Sequence, residues 1–226
     1  MIKIALLFSL LFLLPADYAV GQKNRPDEKI PAMPKLLSVR EQMNERQMWL
    51  KKRFDTLLLP MMRKHNAAMW IVTNEEFHPD AVTESITPPI PMVGRRDFFI
   101  FFDNGRTLEK IAVVRYEEES LKNFYTLISP QRDRTAETIR KIVADRNPKT
   151  IALNMGGGRG QTDGITYDAY KFLAETLGDD YEKRFVSAGK LVTDYLDTRI
   201  AEELDDYRAA ALVPHILSRR AFSKEV

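Results

Sequence analysis

The chain has 226 residues, of which 44% are hydrophobic and 29% charged, enough apolar surface to build a core and too little bias for a low-complexity or collagen-like chain. Its 34 Lys and Arg against 32 Asp and Glu leave a formal net charge of +2, which gives no bulk electrostatic argument for a nucleic-acid or acidic-lipid partner. The absence of cysteine excludes disulfide frameworks, zinc fingers, thiol nucleophiles and lipoprotein attachment, and the three histidines, His65, His78 and His215, leave few acid–base or metal candidates.

Met1, Ile2 and Lys3 precede an apolar run from Ile4 to Leu14, broken only by Ser9, and then Pro15 and the small residues Ala19 and Gly21. This is the pattern of an export signal cut before Gln22, and the apolar run is shorter than the roughly 20 residues a spanning helix needs. An uncleaved anchor is the alternative. The expectation is an exported chain, periplasmic or secreted, with residues 1–21 as signal and residues 22–37 as an extended leader punctuated by Pro26, Pro31 and Pro34.

Ser38 and Glu41 have the spacing of a capping box and open a predicted helix to about Asn66, with Met43, Leu50, Phe54, Leu57, Leu58, Met61 and Met62 on its apolar positions and Pro60 as a possible kink. Ala67–Val72 is a continuous apolar run, read as a strand buried on both faces. A long polar loop from Asn74 to Arg96 follows, then strands at Asp97–Phe102 and Lys110–Arg115, joined through Asn104-Gly105 with the positive backbone dihedrals of a tight hairpin. Phe124–Ile128 reads as a strand or short helix, Thr135–Arg146 as a helix, Thr150–Leu153 as a strand, Thr166–Leu177 as a helix stopped by Gly178, and Phe185-Val186 as a last strand before further helix. The order predicts an α/β, three-layer domain with a mixed β-sheet flanked by helices.

Few residues suggest chemistry. The glycine-rich stretch Gly156–Gly160 follows a strand, yet it lacks both the dinucleotide-binding spacing and a P-loop lysine, so a flexible surface loop is favoured over an anion site. His78-Pro79-Asp80 reads first as a solvated loop tip, and Arg95-Arg96 as surface charges beside a strand or as a bidentate carboxylate clamp. Glu117–Glu119 is a charge run, and the neighbours Asp179-Asp180 and Asp205-Asp206 diverge on a helix instead of forming a paired-carboxylate site. Neither Ser187 nor Ser223 has a histidine near in sequence, and no His, Asp and Glu set has metal-ligand spacing.

The last forty residues add a resemblance. Ser187-Ala188-Gly189-Lys190-Leu191-Val192, Asp194–Arg199 and Glu202-Glu203-Leu204 with the following helix resemble the junction between the two halves of the creatinase and aminopeptidase P family. There a strand ends in a Ser-Ala pair, a short helix leads to an arginine, and a glutamate begins a long helix; Arg199 and Glu203 resemble those two junction residues, with Ile200-Ala201 where the family has Lys-Ser. The resemblance implies a creatinase amino-terminal-domain-like fold over residues 38–198 and a linker helix over residues 199–226 leading to a catalytic domain outside this chain. It implies a parent metal-dependent Xaa-Pro aminopeptidase or prolidase, a homodimer using two divalent ions, manganese by expectation, whose ligands lie in that other domain. No catalytic or metal residue is carried over to this chain, which is expected to be inactive alone, and His78, Arg95 and Arg96 are the residues expected to face the substrate's access route. No nucleic acid and, after signal cleavage, no membrane is expected as partner. A stand-alone exported interaction domain without enzymatic activity is the alternative.

Overall fold

A computed structural model describes residues 30–88 and 93–222; the signal expected at residues 1–21 lies outside them. The chain divides into two compact units, Lys35–Arg208 and a second that holds the described residues 30–34 and 209–222. The first carries a six-stranded sheet, β1 Met69–Glu75, β2 Arg96–Asp103, β3 Leu108–Val113, β4 Thr126–Ile128, β5 Ile151–Leu153 and β6 Phe185–Ser187, in spatial order β4-β3-β2-β1-β5-β6. β1 and β3 are antiparallel to β2, whereas β4, β5 and β6 run parallel to their neighbours, so the sheet is mixed as expected.

Side chains alternate across this sheet and build a core on each face. Trp70, Val72, Phe99, Phe101 and Ala112 face one side, where they meet the first helical segment and α8 Gly189–Asp197. Met69, Ile71, Phe98, Ile100 and Ile111 face the other, against α5 Thr135–Arg146 and α6 Tyr167–Leu177. Each fully buried large side chain is worth about 1.5–3 kcal/mol, so these two layers dominate the unit's stability.

The first helix is α1 Val39–Arg53, a π-turn at Phe54–Leu58 and α2 Leu59–Lys64. Its buried stripe is Leu50, Phe54, Leu58 and Met62, one residue in four. On a 3.6-residue helix such a stripe drifts by about 40° per step, and the wider π-turn takes up the drift and keeps all four side chains on the sheet. Pro60 does not end the segment: it sits in the first turn of α2, directly after the π-turn, where a missing N–H is tolerated. Met43 and the first turns of α1 are substantially exposed, contrary to a stripe running its full length.

Other boundaries moved little. The polar loop after β1 contains the short helix α3 Thr83–Ile86, β4 resolves the Phe124–Ile128 ambiguity as strand, and α4 Glu119–Lys122 precedes it. At the hairpin only Gly105 has a positive φ, of 88°; Asn104 contributes through its side chain, whose Oδ1 accepts from the Arg106 and Thr107 amides. After β6 come α8, a 3-10 turn at Ala201–Glu203 and α9 Leu204–Ala221. In the second unit α9 contains Pro214, exposed His215 and buried Ile216, and no described helix is long and apolar enough to cross a membrane.

Candidate functional site

The residues expected at an access route gather at one end of β1 and β2. β1 ends at Glu75, paired in register with Arg96 at the start of β2, and a single antiparallel bridge joins Glu75 to His78. The Glu76 amide donates to the Arg95 carbonyl at 3.1 Å. His78, Arg95 and Arg96 therefore share one rim, with His78 and Arg95 exposed.

Arg96 is not a free clamp. Its Nε donates to Glu75 Oε1 at 2.7 Å, its Nη2 to Glu75 and to Asp168 Oδ2 at 2.6 Å, and the guanidinium lies 5.5 Å from the Phe172 ring centroid. Arg96 holds the Asp168 carboxyl below its usual range. Thr166, the N-cap of α6, donates its hydroxyl to the other oxygen of Glu75, so the rim is a cross-link between β1, β2 and α6. Arg95 with Arg115, Tyr116 and Arg132 borders a groove of about 530 Å³ beside it.

Behind the rim lie acids that sequence reading placed in water or overlooked. His78 and Pro79 are solvated, but Asp80 is 1% exposed, which corrects the loop-tip reading. Trp70 Nε1 donates to Asn154 Oδ1 at 2.7 Å, Asn154 Nδ2 donates to Asp80 Oδ2 at 2.8 Å, and the Val82 amide donates to Asp80 Oδ1 at 3.0 Å. Burial raises the Asp80 pKa against these hydrogen bonds. Asp97, opposite Asn74 in the β1–β2 ladder, is equally buried; the Arg115 amide donates to it at 3.0 Å, and desolvation pushes it up to about 6. A single acid at the start of a strand or in a loop gives no sequence sign of burial, because its partners, Arg115 just past β3 and Asn154 just past β5, are distant in the chain.

The glycine-rich loop closes on itself. Gly156 donates its amide to Asp163 Oδ1 at 2.9 Å, and Thr162 donates its hydroxyl to the Gly156 and Arg159 carbonyls. The stretch is exposed, as expected of a surface loop, with its first amide already committed to a carboxylate.

The junction residues separate in role. Ser187 ends β6, Ala188 follows, and α8 leads through Thr198 to Arg199, which is exposed, stacks 4.6 Å from the Tyr207 ring centroid and donates to the Leu196 carbonyl. Glu203 is buried immediately before α9, where its Oε2 accepts from the Ile200 amide at 3.1 Å. Its partner is Arg53, the last residue of α1, at 3.1 Å, with both side chains about 8% exposed. Arg53 Nη1 also donates to the Thr198 carbonyl at 2.9 Å and Nη2 to the Tyr195 carbonyl, while the guanidinium lies 4.5 Å from the Tyr195 ring centroid. Tyr195 in turn donates to the Ser85 carbonyl at 2.9 Å, and burial pushes its hydroxyl up to about 12. Arg53 escaped notice as one of many basic residues in α1; its place three residues after Leu50 and one before Phe54, on the buried stripe, was the available signal.

Among the described residues no group of three or more His, Asp or Glu is placed to hold a metal ion. His65 is spent on Asp194, with Nε2 2.8 Å from Oδ2. What the site offers is a rim of charges cross-linked between β1, β2 and α6.

No protein-family model and no curated protein matches the chain. Solved structures to which it is similar include the X-Pro aminopeptidase of Thermotoga maritima (12% identity, TM-score 0.45, 69% of this chain and 38% of that one) and a proposed aminopeptidase P of Bacillus anthracis (10%, 0.49, 78% and 52%). A third is the Xaa-Pro aminopeptidase P of Streptococcus thermophilus (13%, 0.44, 69% and 98%). The chain thus spans less than two thirds of the Thermotoga and Bacillus chains it resembles in fold and nearly all of the streptococcal one.

Proposed function

We propose that this chain is the non-catalytic amino-terminal part of an exported Xaa-Pro aminopeptidase or prolidase-like metallopeptidase. The observation that supports this best is the succession from β6 through Ser187-Ala188, α8 and Arg199 to buried Glu203 and α9, the order of elements expected at the junction of the two halves in that family. In this reading the parent enzyme cleaves the amino-terminal residue from peptides with proline next, using two divalent ions, manganese by expectation, held by residues outside this chain. Activation of water belongs to that other half. This domain restricts access to short extended peptides, with the rim of His78, Arg95 and Arg96 facing the route, and it takes part in homodimer contacts. Residues 1–21 direct export.

Purified chain with added manganese is expected to leave a Gly-Pro-type peptide intact. Hydrolysis that follows the protein through a second column overturns the reading. The gene supplies the positive arm: an open frame continuing past the Val226 codon and encoding two aspartates, a histidine and two glutamates is expected, and a stop codon there counts against a missing catalytic half.

A further inference from the structure

The other end of the sheet has an open flank that the peptidase reading does not use. Strand β4 pairs with β3 only from Ile111, opposite Thr126, to Val113, opposite Ile128, so β3 extends three residues, Leu108, Glu109 and Lys110, beyond its neighbour. Two hydrogen bonds fix which way the main chain of those residues faces. The Asp103 amide donates across to Ala68 of the β1 side, so in the Asp103–Leu108 pair the polar groups point away from each other. The Val114 amide donates to the Ile128 carbonyl on the β4 side, and the two-residue period of the strand carries the same direction to Ala112, Lys110 and Leu108. The Leu108 N–H and C=O and the Lys110 N–H therefore face outward where β4 has not yet begun.

This edge borders a groove of about 890 Å³ whose far wall is α5. Lys110, Lys122 and Lys141 all line it, Lys110 with its ammonium 5.4 Å from the Phe54 ring centroid and Arg146 tied to Glu109 at 2.7 Å. The existing partners of Lys122 and Lys141 are Glu119 and Asp145, an i,i+3 and an i,i+4 neighbour with exposed side chains, and such pairs are weak enough to exchange for a ligand's carboxylates.

We propose that this edge is a docking site for an extended, acidic peptide segment of a partner protein, added to the sheet as a short strand alongside Leu108–Lys110. The main-chain groups supply pairing, as in other strand additions, and the lysines select carboxylates at alternate positions of the peptide.

The test uses the whole chain and a fluorescein-labelled hexapeptide of alternating glutamate and valine. Saturable binding is expected, with the amide resonances of Leu108 and Lys110 among those that shift. N-methylation of alternate peptide amides is expected to abolish binding, and Lys122→Glu with Lys141→Glu to weaken it about tenfold or more while the melting temperature holds. The proposal is overturned by no saturable binding at millimolar peptide, by affinity indifferent to N-methylation, or by shifts confined to another surface. The N-methylated peptide needs no protein variant, so it decides the matter even if the double substitution does not fold, and none of these outcomes bears on the peptidase reading.

Discussion

Glu203 and Asp97 are both almost wholly buried acids, yet the chain satisfies them in opposite ways. Glu203 faces a guanidinium that also grips two carbonyls of the α8 exit, whereas among the described residues Asp97 accepts from the Arg115 amide and stands near the like charge of Glu118. A charge that meets a buried countercharge is held by a local network, and its loss leaves the partner stranded. A charge that meets only a dipole gives way by taking up a proton, which is why Asp97 titrates at about 6. The second arrangement makes a pH-dependent joint.

The largest expected effect comes from breaking the Arg53–Glu203 pair. Arg53→Met leaves Glu203 buried without its cation and is expected to cost about 3–5 kcal/mol in urea unfolding. The double variant Arg53→Met with Glu203→Leu is expected to recover most of that loss; additive losses would show that Arg53 acts through its carbonyl contacts and not through the ion pair.

Asp97 gives the next effect. Its folded pKa of about 6 lies above the ordinary carboxylate value, so the folded state holds this proton more tightly than the unfolded state. The neutral acid therefore contributes stability that is fully present below about pH 3.8 and lost as pH rises through about 6, a decline of up to about 3 kcal/mol. Asp103, Asp168 and Asp194 are held low by basic partners and pull the other way, so the difference between wild type and Asp97→Asn isolates this group. That difference should change between pH 4 and pH 7 and be flat above; a constant difference would mean that Asp97 stays charged when folded.

Smaller effects sharpen the same contrast. A Cβ on Gly164 would lie 2.2 Å from Asp80 Oδ2, in a carboxylate held by Asn154 at Oδ2 and by the Val82 amide at Oδ1, so Gly164→Ala is expected to cost about 1–3 kcal/mol. Ser38→Ala removes an exposed cap in which the Ser38 hydroxyl accepts from the Glu41 amide and Glu41 accepts from the Ser38 amide at 2.7 Å. It should cost only about 1 kcal/mol by thermal melt.

Much of the fold was legible because periodicity is local. Thr135–Arg146 forms a helix with the bounds its pattern gave, and the Ser38–Glu41 capping box opens α1 as expected. The Asp97–Phe102 and Lys110–Arg115 strands shifted by one or two residues. The candidate site was legible only in part. His78, Arg95 and Arg96 do share a rim, but Arg96 is occupied by Glu75 and Asp168, partners 21 and 72 residues away.

By itself, the sequence determined the long helices and most strands, whose patterns are local, and the resemblance of its last forty residues supplied the order of strand, short helix and glutamate before α9; it left Phe124–Ile128 open and did not show the short helices α3 and α4. Only the tertiary structure decided which charges are buried and with whom. Arg53 meets Glu203 across 150 residues and Asp80 meets Asn154 across 74, and the cost of burying a charge depends on the groups the fold brings to it, whatever stands beside it in the chain.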